Sequence, residues 1–129
     1  MYRRYSGNDR RRFQRLDLNI AVFCRVTEPP SVCVQVGDKE MEATMLNLSE
    51  GGIALLMNYN IPFWTILLIK FTLSKMDKDG KVKFYAPLEI KGEVRSNISL
   101  EKNEYRLGIR FMDLDYEDKA AISDFMKSL

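Results

Sequence analysis

The sequence predicts a mainly β protein, an antiparallel barrel of about six strands with one C-terminal α-helix packed on it. Two observations carry this. Apolar residues recur at every second position through most of the 129 residues, with turn-forming residues between the runs. Over the last fifteen residues the period changes to three and four, the spacing of an amphipathic helix. A chain of this length with 46% hydrophobic residues can bury one core without covalent help, and no internal repeat or low-complexity linker divides it.

The first strand is read over residues 16–26, where Leu16, Leu18, Ile20, Val22, Cys24 and Val26 alternate with Asp17, Asn19, Ala21, Phe23 and Arg25. Pro29-Pro30 interrupts it. Residues 32–36 then read as a short edge or insertion strand, closed by Gly37-Asp38-Lys39. Further strands are expected over 41–48, over 53–57 after a double glycine, and over 66–73. Asp77-Lys78-Asp79-Gly80-Lys81 is an exposed turn. Ala86, Leu88, Ile90 and Val94 alternate with Pro87, Glu89, Lys91 and Glu93, and Tyr105, Leu107, Ile109 and Phe111 alternate with Arg106, Gly108 and Arg110. The helix starts at Asp115 as N-cap, with Asp118 at its third position, and presents Ala121, Ile122, Phe125, Met126 and Leu129 as its apolar stripe.

Cys24 and Cys33 are too few for a metal site in a chain that has no histidine; they read as buried free thiols of a cytosolic protein, with a cross-strand disulfide around Glu28-Pro29-Pro30-Ser31 as the alternative. Arg3-Arg4 is not followed by the apolar stretch of a secretory signal. The most apolar run, 61–71, is broken by Pro62, Thr65 and Lys70 and is too short to span a membrane. The expectation is a soluble, cytoplasmic protein without a cofactor. Enzyme classes find little support. The commonest general base is missing, and neither a nucleophile elbow nor a Gly-x-x-x-x-Gly-Lys-Ser/Thr phosphate loop occurs.

Charge is concentrated at one end. Residues 1–15 carry six arginines against Asp9, a net +5, whereas the remainder carries fourteen bases against seventeen acids, a net −3. A slightly acidic body with a cationic arm points to an anionic partner met at the arm.

Two short motifs suit such a partner. Arg10, Arg11 and Arg15 supply planar forks that bond phosphate oxygens bidentately, pair with guanine O6 and N7, or stack on a purine. The turn Asn47-Leu48-Ser49-Glu50-Gly51-Gly52 supplies an amide that meets a guanine edge as donor and acceptor, a small hydroxyl, and glycines that ease the turn and admit a ligand closely. Taken alone, an arginine cluster is a solvated tail or nonspecific polyanion arm, and Asn-x-Ser before Gly-Gly is a plain turn between strands.

In combination the spacings Arg11-x-x-x-Arg15 and Asn47-x-Ser49-x-x-Gly52 resemble the two signature motifs of the PilZ domain family, which binds cyclic di-GMP. Tyr105-Arg106-Leu107-Gly108-Ile109-Arg110-Phe111 is similar to that family's last strand, and the resemblance covers roughly residues 10–126. It implies residues 1–9 as a flexible basic arm and residues 10–129 as a PilZ-like domain. It also implies a six-stranded barrel and a site made by Arg10, Arg11, Arg15, Asn47, Ser49, Gly51 and Gly52. The position of Arg10 in this family bears on whether one nucleotide or a stacked pair is held. The family often has Asp at the position of Asn47; Asn also occurs there, keeping the hydrogen-bonding shape and dropping the charge.

The function this implies is a bacterial cyclic di-GMP receptor or adaptor, not an enzyme. Its arginine-rich arm is expected to order over the barrel when ligand neutralises it, and the signal to pass to an unidentified protein partner. Two other readings compete. One is a nucleic-acid-binding barrel with a basic arm and stacking aromatics such as Tyr2, Tyr5 and Phe13, to which the net −3 of the body denies a broad basic groove. The other is a scaffold that does not bind nucleotide.

Overall fold

The structure, a computed structural model, describes residues 16–128. Strand β1 spans Leu16–Glu28, β2 Met41–Leu48, β3 Gly52–Met57, β4 Ile66–Met76, β5 Val82–Ser99 and β6 Tyr105–Met112. Helix α1, Pro30–Gln35, lies between β1 and β2, and α2, Tyr116–Lys127, follows β6. All pairings are antiparallel, and they close a barrel in the order β1-β2-β3-β6-β5-β4.

Alternation fills the interior. Val22, Cys24 and Val26 from β1 meet Met41 and Met45 from β2, Leu55 from β3, Leu67, Ile69 and Leu73 from β4, Ile90 and Val94 from β5, and Leu107 from β6, all buried. Their neighbours in sequence face outward, which is why the period of two is visible in the chain. Helix α2 packs Ile122 and Phe125 onto this core, with the Phe125 ring 5.6 Å from that of Phe84 on β5. Its start follows expectation: the Asp115 side chain accepts from the Asp118 N–H at 2.8 Å.

One element differs from expectation. Residues 32–36 belong to no strand: Pro30–Gln35 is a short helix with Pro30 in its first turn. Val32, Val34 and Val36 suggest a strand by propensity, but proline at the start of a helix is preorganised and gives up an N–H that would be unpaired anyway. Val32 is the buried residue of the helix and Val34 is exposed, while Cys33 and the following Val36 pack partly buried against the same end of the core. Strands β4 and β5 also run further than expected, to a hairpin turn in which Asp77 Oδ1 accepts from the N–H groups of Asp79 and Lys81, each at 2.9 Å. Both cysteines are free, Cys24 inside the barrel and Cys33 on α1.

Candidate functional site

An open groove of about 590 Å³ runs over the outside of the barrel between the β2–β3 turn and the paired strands β5 and β6. Asn47, Ser49, Gly51 and Gly52 line one side, and Arg95, Ser96, Arg106 and Arg110 line the other. Four expected site residues therefore converge. Arg10, Arg11 and Arg15 lie outside the described residues. Leu16, the first described residue, pairs with Leu48, and Asp17 pairs with Asn47, so the described chain begins beside this groove.

Local irregularities in the sheet aim these side chains. The β2–β3 register shifts between Met45 and Asn47. Inward residues are odd-numbered as far as Met45, yet Leu48 is fully buried and Asn47 lines the groove. One extra residue has turned the amide from the core face to the outer face. A second shift lies between Val94 and Ser96 on β5, opposite Ile109 and Gly108. It leaves Arg95 and Ser96 both exposed and both in the groove.

The turn is held from within. Ser49 Oγ accepts from the N–H groups of Gly51 and Gly52 at 3.2 Å each and donates to the Gly52 carbonyl at 3.3 Å, while Ser49 N–H donates to the same carbonyl at 2.9 Å. Those bonds use the donor and both lone pairs of the hydroxyl. Gly51 O accepts from Phe111 N–H at 3.0 Å, tying the turn to β6. A Cβ on Gly52 would meet the Ile109 carbonyl oxygen at 2.0 Å, and one on Gly108 would meet Ser96 Oγ at 2.3 Å. At Gly52 the obstacle is backbone, so strand contact itself calls for glycine, whereas at Gly108 the obstacle is a serine hydroxyl that can turn aside.

The opposite wall is cationic. Arg95 lies over the Trp64 ring, 4.8 Å from its centroid, and Glu93 pairs with both Arg95 and Arg110. Among the described residues no group of histidine, cysteine and acidic side chains could hold a metal ion, and no helix is long and apolar enough to cross a membrane. The sequence reading missed Arg95, Arg106 and Arg110, and its inference that the body lacks a basic groove is corrected here. A net charge of −3 is an average, and the acids lie mostly elsewhere. One signal was present. Six of the ten arginines are in the arm and three line the groove, whereas none of the ten lysines does.

The family model of the PilZ domain matches residues 9–128, nearly the whole chain and both motifs. The chain belongs to the PilZ family.

Solved structures agree with this in fold. The PilZ domain resembles the Bacillus subtilis inhibitor of motility MotI/DgrA with a TM-score of 0.67 at 16% identity, over 93% of this chain and 51% of that one. It resembles the PilZ domain of Escherichia coli YcgR, solved with c-di-GMP, with a TM-score of 0.59 at 18% identity, over 94% and 92%. The complex of K. pneumonia MrkH with c-di-GMP gives 0.61 at 16% identity, over 93% and 51%. This PilZ domain thus spans about half the length of the MotI and MrkH chains. A search of curated proteins finds no match.

Proposed function

We propose that this PilZ domain is a cytoplasmic receptor for cyclic di-GMP that carries no catalytic activity of its own. The observation that supports this most is the groove. The turn Asn47–Gly52 faces an arginine wall across a volume of about 590 Å³, next to the point where the Arg10–Arg15 segment joins β1. Such a volume is within the range of small-molecule sites, and the relatives YcgR and MrkH were solved with this dinucleotide.

In this reading Asn47 pairs with a guanine edge, and Ser49 keeps the turn in the shape that presents it. Gly51 and Gly52 let the ligand approach the backbone. Arg11 and Arg15 grip the phosphates and Arg10 stacks on a base, so that the arm closes over the groove as the ligand neutralises it. One dinucleotide or a stacked pair fills the site. The closed arm is the surface a downstream protein partner reads.

Calorimetric titration of cyclic di-GMP into the wild type and into Arg15→Ala, at two salt concentrations, tests this. Saturable binding abolished by the substitution is the expected result, and absence of binding to the wild type would sink the reading. A second reading draws on the exposed Phe63 and Trp64 beside the arginine wall, which suit stacking of a single-stranded nucleic acid. That ligand class would bind without preference for the cyclic dinucleotide and lose affinity steeply with salt.

A further inference from the structure

Glu93, Arg95 and Arg110 meet around one carboxylate oxygen. Glu93 Oε1 stands 3.5 Å from Arg95 Nη1 and 3.7 Å from Arg110 Nη2. The side chains are graded in depth: Glu93 is 16% exposed, Arg95 41% and Arg110 62%. The carboxylate lies beneath, and the two guanidiniums lie above it in the wall of the groove.

Each arginine has a fixed origin. Arg110 is directly opposite both Glu93 and Gly52 in the ladder, and Arg95 is the extra residue of the β5 bulge. Arg95 is also braced on the indole of Trp64. Trp64 has a positive φ of 70°, unusual for an aromatic residue, and its N–H bonds to the Val94 carbonyl at 2.9 Å. Ion pairs this exposed add little to stability, so folding alone gives no reason for the arrangement. A guanidinium has five N–H donors, and one carboxylate oxygen meets only one side of each fork.

We propose that Arg95 and Arg110 are further ligand-binding residues, contacting the anionic groups of the dinucleotide from the wall opposite Asn47. Glu93 is then a positioning residue that holds both forks toward the groove. This rests on the cyclic di-GMP reading above. Without the carboxylate two like charges on long side chains separate, and the cost of ordering them falls on ligand binding.

Substitution at Glu93 has a sign that separates positioning from bulk electrostatics. Glu93→Gln makes the groove more positive, so charge alone would tighten binding of a dianion. Positioning requires the opposite, a weakening of about fivefold. The experiment is calorimetric titration of cyclic di-GMP into the wild type, Glu93→Gln, Glu93→Asp, Arg95→Lys and Arg110→Ala. Thermal midpoints and the near-ultraviolet signal of Trp64 verify folding, and Arg110→Lys stands in should Arg110→Ala not fold.

Arg110→Ala is expected to weaken binding about tenfold, Arg95→Lys about fivefold, and Glu93→Asp to recover part of the Glu93→Gln loss. Unchanged or tighter binding by Glu93→Gln overturns the positioning role, and unchanged binding by the arginine variants overturns the contacts. In either case a wild type that binds leaves the cyclic di-GMP reading intact. A wild type that does not bind removes that reading, and this inference with it.

Discussion

Gly52 of β3 approaches Ile109 of the neighbouring strand β6, one residue before its ladder partner Arg110, so closely that a Cβ on Gly52 would stand 2.0 Å from the Ile109 carbonyl oxygen. The obstacle is backbone, which cannot swing aside as a side-chain end can. Gly52→Ala should therefore cost stability of about 2 kcal/mol or more, the scale of overpacking. Urea denaturation measures it. A midpoint equal to that of the wild type would mean that Gly52 serves ligand access alone.

Ser49 closes the turn through its hydroxyl, which bonds Gly51 and Gly52. Ser49→Ala leaves two N–H groups without that acceptor, and a loss of about 1–2 kcal/mol is expected. Because the turn carries Asn47 and Gly52 on its flanks, ligand affinity should fall together with stability. Ser49→Thr, which keeps the hydroxyl, should recover much of both. Denaturation and calorimetry on the same preparations check this.

Thr65 is fully buried, and its Oγ1 has no hydrogen-bond partner among the described residues. Thr65→Val replaces the hydroxyl by a methyl of nearly the same shape and removes an unmet polar group. The variant should gain about 1 kcal/mol, read as a higher midpoint of denaturation. A loss of stability would show that the hydroxyl has a partner after all.

The thiol of Cys24 sits inside the barrel, where desolvation, helped by Glu40, pushes its pKa from 9.0 up to about 12. Above pH 9.0 the unfolded chain releases a proton that the folded chain keeps, so the contribution to stability is complete below pH 9.0 and is lost as pH rises toward about 12. The stability of Cys24→Ala should decline less steeply across that window than that of the wild type. Parallel slopes would contradict the assignment. Cys33 is also raised, first by its hydrogen bond to Asp38 and then by partial burial, yet it lies nearer the surface. A thiol reagent should therefore modify Cys33 before Cys24.

The proposed closure of the arm over the groove has its own readout. Amide exchange across residues 1–15 should slow at saturating cyclic di-GMP and return to its starting rate in Arg15→Ala. Unchanged exchange in the liganded wild type would rule out closure as the signal.

Much of the barrel was legible beforehand because side chains of a sheet alternate between core and solvent, a property each strand carries locally. Strand β2 has the expected bounds, β6 differs by one residue, and the α2 start is written in Asp115 and its partner Asp118. The α1 region was misread because Val32, Val34 and Val36 favour a strand, while the choice depended on how Pro30 starts a helix over the end of the core. The turn Asn47–Gly52 was legible as a motif, since its residues are close in the chain.

The arginine wall was not, and the reason is geometric. Arg95, Arg106 and Arg110 occupy outward positions of strands, where a charge ordinarily meets only water. They become part of a site because β6 pairs not only with its sequence neighbour β5 but also with β3, which sets Arg110 opposite Gly52 some sixty residues earlier in the chain. The bulges at Met45–Asn47 and Val94–Ser96 then turn Asn47 and Arg95 into the same groove. Local periodicity and motif spacing sufficed for the six barrel strands, the final helix and the turn that lines the groove. Which charges face that turn was decided by barrel closure and by one extra residue in each of two strands, because long-range pairing and register leave no periodic trace in the chain.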